Sequence, residues 1–135
     1  MSEPTIEPDR EQIGKLTEST DESAIVMLNL LRFKDEADGV DAGMSGAEAY
    51  GLYSVAVAPF LQGVGGEILS AAACVESIIG PEEKEWDMVI LVKYPNRQAF
   101  LKMATDPEYL KIAVHRTAAL ADSRLVVSNL VFPQD

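Results

Sequence analysis

AIVMLNLLRF, residues 24–33, is apolar at eight of ten positions, the exceptions being Asn29 and Arg32. A half-buried strand alternates apolar and polar residues, because successive side chains point to opposite faces. Here Val26, Leu28 and Leu30 make one face apolar, while Ile25, Met27, Leu31 and Phe33 make the other so. That is the pattern of a central strand covered on both sides. Asn29 then sits where a polar group must find a partner in the protein or in a ligand.

Downstream, Lys34–Met44 is polar with two glycines and reads as a loop. Ser45-Gly46-Ala47-Glu48 is a capping box, in which serine and glutamate satisfy the first orphan N–H groups of a helix. Tyr50, Tyr53, Val57 and Phe60 or Leu61 follow at three-to-four spacing, an amphipathic stripe. Pro59 is expected to kink or shorten its last turn, and Gly63, Gly65 and Gly66 end it. Glu67–Ile79 reads as a long second strand, Pro81–Glu85 as a turn, and Trp86–Tyr94 as a third strand apolar throughout Met88–Val92. Asn96 is placed to cap a helix over Arg97–Ala104. Asp106-Pro107 restarts a helix through about Ala121, and Arg124–Phe132 reads as a fourth strand.

Upstream lies an acidic arm, residues 1–23, in which Pro8 can open a short helix carrying Ile13 and Leu16. Residues 24–135 then form one domain in the order βαββαβ, an α+β, ferredoxin-like pattern with strands in spatial order 4-1-3-2. The sheet is antiparallel and four-stranded, with its helices on one face. Two helices cover one face only, so the other predicts a second copy packed sheet to sheet: a homodimer enclosing a small barrel.

At 135 residues the chain is long enough to bury a core without staples. Its 22 acidic and 11 basic residues give a net charge of −11. Such a balance repels phosphate backbones and anionic bilayers, so neither nucleic acid nor a membrane is expected as a partner. Cys74 is the only cysteine, which excludes an intrachain disulfide and a thiolate metal site. The start MSEPTIEPDR lacks the apolar core of a signal peptide, and a cytoplasmic location is expected.

Met27-Leu28-Asn29-Leu30-Leu31-Arg32-Phe33, then Gly46, Tyr50 and Tyr53, Trp86-Asp87, Tyr94-Pro95, Asp106-Pro107-Glu108-Tyr109, and His115-Arg116 through Arg124-Leu125 together resemble one family. It is domain-of-unknown-function family 1330, within the dimeric α+β barrel superfamily, and the resemblance covers about residues 24–130. It implies a ferredoxin-like dimer, with ligands between the helical layer and the sheet. It implies no reaction. Cousins in the superfamily include cofactor-free monooxygenases, muconolactone-isomerase-like proteins and haem-handling enzymes.

The candidate catalytic residues are Asn29, whose amide can hold a carbonyl or oxyanion, and His115, the only histidine and the natural proton carrier. Tyr53 and Trp86 are expected to wall the pocket, and Arg32, Arg116 and Arg124 to bind a carboxylate. Asn, Trp and His are also used by the haem-degrading cousins, but Trp86 and His115 stand too far apart for the usual haem-ligating pattern. No metal-ligand spacing appears among Glu82, Glu83, Glu85 and Asp87. The expectation is therefore a site without metal or cofactor. It would serve a cofactor-free, monooxygenase- or isomerase-like enzyme acting on a small, partly apolar molecule, or a binding or structural homodimer without chemistry.

Overall fold

The computed structural model describes residues 3–133; the first two residues of the arm and the last two of the chain lie outside the described residues. Four strands, β1 (Ile25–Phe33), β2 (Glu67–Ala73), β3 (Met88–Tyr94) and β4 (Leu120–Ser128), form one sheet in the order β2-β3-β1-β4. Every pairing is antiparallel. This is the spatial order the sequence predicts, with its two doubly apolar strands in the centre. The helices are α1 (Arg10–Glu18), α2 (Gly46–Gly63), α3 (Arg97–Ala104) and α4 (Pro107–Ala119).

Strand β1 sorts its side chains by parity. Ile25, Met27 and Leu31 face the helices and are fully buried, as is Leu120 at the start of β4. Leu28 and Leu30 face the other way and stay half-buried. In α2 the capping box forms on both sides: Ser45 Oγ accepts from Glu48 N at 3.0 Å, and Glu48 Oε1 accepts from Ser45 N at 3.1 Å. The predicted stripe packs inward through Tyr50, Tyr53, Val57 and Leu61. Pro59 does not shorten α2, since it sits on the exposed side where water can satisfy the carbonyl it leaves unpaired. Gly65, at φ 78°, then takes the left-handed turn into β2.

Several strand boundaries differ from the sequence reading: β3 starts at Met88 instead of Trp86, and β4 ends at Ser128 instead of Phe132. β4 begins at Leu120 instead of Arg124, and α4 ends at Ala119 instead of Ala121. The alanines favour a helix locally, but the Ala119 carbonyl leaves the helix ladder to accept from Lys34 N at 2.8 Å, and Leu120 is already extended and buried. Tertiary bonding overrides propensity there. β2 ends at Ala73, because its partner β3 starts only at Met88 and pairing stops soon after the Cys74 N–Asp87 O bond of 2.9 Å. Residues 75–85 form an exposed excursion, with Ile79 97 % exposed.

The arm docks along the sheet. Thr5 N donates to Asp122 Oδ1 at 2.9 Å, Thr5 Oγ1 to Ser123 O at 3.0 Å, and Ser123 Oγ to Thr5 O at 2.6 Å. Asp9 caps α1, and Ile6, Ile13 and Leu16 pack against the core. No helix among the described residues is long and apolar enough to cross a membrane.

The junction of β1, α2 and α4 depends on Gly46. A Cβ there would collide with the Lys34 backbone and lie 2.7 Å from Ala119 O. Backbone of two segments cannot yield as a side-chain tip could, so Gly46→Ala is expected to cost roughly 2–3 kcal/mol. A urea unfolding curve with an unchanged slope and a lower midpoint would show it.

Candidate functional site

Between the helices and the sheet runs a groove of about 1480 Å³. Met27, Asn29 and Ile90 form its floor, Tyr50, Tyr53 and Val57 of α2 one wall, and Tyr109 and Arg116 of α4 another. The arm closes the outer side through Ile6, Ile13 and Leu16.

Asn29 is the polar point of the floor. Its Nδ2 lies 3.3 Å from Met27 O and 3.4 Å from Ile90 O. Two carbonyls there require the NH₂ end, which turns Oδ1 away from them. Oδ1 has no hydrogen-bond partner among the described residues. An acceptor left open in a mostly apolar setting is a place for a ligand O–H or N–H.

Tyrosines line the same groove. Tyr53 and Tyr109 share a hydroxyl–hydroxyl bond of 2.8 Å. The rings run in a chain from Phe33 through Tyr50 and Tyr53 to Tyr109 and Phe60. Tyr94 borders the same groove, its ring edge-on to Phe100. The Tyr50 and Tyr94 hydroxyls make no hydrogen bond among the described residues. Burial pushes Tyr50 up to about 12 against the pull of the Arg116 charge. Burial also raises Tyr53, reinforced by Tyr109, and raises Tyr94. These phenols are hydrogen-bond donors at neutral pH and not bases.

Arg116 lines the groove while donating to Ile6 O through Nη1. The other sequence candidates lie elsewhere. His115 is one residue from Arg116, about 100° around the helix, and is absent from the groove's lining. Its Nδ1 lies 2.7 Å from Oδ2 of the buried Asp41. Asn29 and His115 are therefore not brought into one cavity. Arg32, Trp86 and Arg124 gather at the sheet's opposite face and β4 edge: the two guanidinium groups lie 5.5 and 5.2 Å from the Trp86 ring centre. Trp86 does not line the groove, because Arg32 and Asn29 have opposite parity on β1 and the tryptophan follows the arginine. Arg124 reaches the groove's rim, where it bonds Thr5 Oγ1 at 2.8 Å.

Asp122 ties that cluster together, 2.7 Å from Arg124 Nη1 and 3.7 Å from Arg32 Nη2. Burial alone would raise its carboxyl, but hydrogen bonds from Thr5 N, Arg124 and Ser123 N hold it below the usual range. Tyr94 and Arg97 line the groove and were absent from the sequence candidates. The spacing Tyr50, Tyr53 was readable, but nothing local marks a residue on another element as facing the same space. Among the described residues no group of three or more His, Cys, Asp or Glu side chains is arranged to hold a metal ion.

The buried phenols imply an alkaline limit. Their folded pKa values exceed the unfolded value of 10, so the folded state holds more protons above that pH. Their stabilisation is complete below pH 10 and, for Tyr50, is lost as pH rises through about 12. Tyr50→Phe is expected to flatten the fall of unfolding free energy by roughly 1 kcal/mol per pH unit between these values, read from urea curves.

Comparison with known proteins agrees with this architecture. No curated protein matches the chain. The crystal structure of the RPA0582 protein of unknown function from Rhodopseudomonas palustris is 34 % identical, with a TM-score of 0.89 over 96 % of this chain and 99 % of that one. A dimeric protein of unknown function and ferredoxin-like fold from Bacteroides fragilis is 12 % identical, with a TM-score of 0.53 over 79 % and 96 %. SnoaB, a cofactor-independent oxygenase from Streptomyces nogalater, is 15 % identical, with a TM-score of 0.53 over 83 % and 99 %. The last two show the fold alone. The family model described as domain of unknown function DUF1330 matches residues 40–130, and the chain belongs to that family.

Proposed function

We propose that the groove binds a small, partly apolar molecule carrying a hydroxyl or N–H group beside carbonyl or carboxylate oxygens and acts on it without a cofactor, in a monooxygenase- or isomerase-like reaction. The observation that carries this reading is the convergence of open polar groups on an aromatic-lined space. Asn29 Oδ1 offers an acceptor, and the tyrosine hydroxyls and Arg116 offer donors. Donors fixed in a low-dielectric site stabilise negative charge developing on a substrate oxygen, as when a carbonyl passes to an enolate. The Tyr53–Tyr109 pair can supply one such proton, since one hydroxyl donates to the other and the second remains free. The similarity of fold to a cofactor-independent oxygenase supports the class of reaction by analogy.

One observation favours binding without chemistry: no imidazole lines the groove. The carboxylates on its rim are Glu3, Glu7 and Asp9 of the arm and Asp38, which Lys34 holds. Native mass spectrometry of the freshly purified protein separates the two readings. A bound molecule recovered chemically altered after incubation in air supports catalysis, and one recovered intact supports binding alone. Asn29→Leu is expected to weaken retention of that molecule on the order of tenfold, as for a lost buried hydrogen bond. His115→Ala is expected to leave retention unchanged; an equal loss in both variants would return His115 to the site.

The working unit in this reading is a homodimer. Leu28, Leu30, Val89 and Leu91 remain half-buried on the helix-free face, and every residue of β2 is exposed. Ile78, Ile79, Val131 and Phe132 are each 80 % exposed or more, beyond what a lone soluble chain ordinarily shows. A second copy packed sheet to sheet covers such a face, and the ferredoxin-like neighbour from Bacteroides fragilis is a dimer. Leu28→Glu puts a charge at its centre and is expected to convert a dimer to a monomer in sedimentation velocity. A wild-type protein sedimenting as a monomer would remove this part of the proposal.

A further inference from the structure

The groove has an end that the proposed site does not use. Tyr94 pairs with Ile25 at one limit of the sheet, and Arg97 follows three residues later as the first residue of α3. Arg97 lines the groove, and its side chain is 15 % exposed. Among the described residues its Nη1 is the buried side-chain polar atom left without a hydrogen bond. The nearest anion is Asp21 Oδ2, at 3.5 Å, an ion pair not aligned as a hydrogen bond. Asp21 belongs to the segment that follows α1, half its side chain is in solvent, and Ser23 occupies its other oxygen through N at 2.9 Å and Oγ at 2.6 Å.

Two partners here are unequally satisfied. Asp21 keeps Ser23 and water if Arg97 leaves it. Arg97 has a buried N–H that the misaligned Asp21 leaves without a hydrogen bond, and leaving such a donor unmet is costly. We propose that Arg97 is an anion subsite at the Tyr94 end of the groove, where the carboxylate of a partly apolar acid takes the guanidinium from Asp21. The inference rests on the groove being a ligand site. It adds the charge of the ligand and names the residue that reads it. A guanidinium suits this task because its paired N–H groups match both oxygens of a carboxylate. The neighbouring Tyr94 and Phe100 rings provide the apolar wall against which the rest of such a molecule would lie.

The test uses the full chain and two fluorescent probes of one shape, 2-naphthoate and its uncharged methyl ester, titrated against wild type, Arg97→Gln and Asp21→Asn. Wild type is expected to bind the acid more tightly than the ester. Arg97→Gln should lose on the order of tenfold in affinity for the acid, the scale of one charge-assisted contact, and keep its affinity for the ester. Asp21→Asn, which removes the competing carboxylate, should bind the acid several-fold more tightly with the ester unchanged. Opposite signs from the two ends of one ion pair cannot come from a general loosening of the arm. Acid binding indifferent to Arg97→Gln, or acid and ester affinities falling together, overturns the subsite while leaving the groove as a ligand site. Failure of both probes to bind wild type overturns the subsite and the groove reading together.

Discussion

A sheet of four strands whose central strand is apolar on both faces has to be covered twice. In this chain α2 and α4 cover one face, with α3 and the arm at its margin, and the helix-free face is left half-buried. That constraint assigns a place to each side chain of β1. Ile25, Met27 and Leu31 go into the core, and Asn29, on the same face, is carried to the floor of the groove. Arg32, one step out of phase, goes to the other face with Trp86, Arg124 and Asp122. One strand thus fixes two polar centres separated by the thickness of the sheet.

Parity within β1 was legible before any coordinates, and so were the strand order and the capping box at Ser45. These are local or periodic signals. The placement of Arg32 and Trp86 away from Asn29 was readable by the same parity, although the sequence grouped all three in one pocket. What the sequence could not supply is tertiary. The Ala118-Ala119-Leu120 stretch carries a helix-favouring pattern, and only the Lys34 bond to Ala119 O shows where the helix yields to the strand. His115 and Arg116 are adjacent in sequence yet serve different surroundings, one beside Asp41 and one in the groove. A helix with polar residues on several faces gives no sign of which face its neighbours will occupy. Arg97 was invisible for a related reason: its environment is assembled from the end of β3, the start of α3 and the chain following α1.

The arm has more consequence than its composition suggests. Rich in carboxylates, it reads as an adjustable arm with a short helix, and groove-lining arginines hold it on either side of α1. Arg116 bonds Ile6 O before the helix, and Arg97 pairs with Asp21 after it. Three of the chain's few cations, Arg124 at Thr5 Oγ1 included, are committed to the boundary between arm and groove, so oxygens of the arm and of a ligand address the same guanidinium groups.

That arrangement matters because the whole molecule carries a net charge of −11. At long range such a surface repels an anion and slows its approach. The repulsion is screened beyond a Debye length of about 8 Å at physiological salt, whereas a buried contact with a guanidinium is screened far less. Salt therefore acts in opposite directions on arrival and on retention, easing the first and only slightly weakening the second. A neutral ligand would feel neither effect. Half-buried arginines inside an acidic shell thus favour a ligand held by short-range, geometrically matched contacts over one drawn in by charge. A groove lined with tyrosines, the open Asn29 amide oxygen and three guanidinium groups supplies contacts of that kind.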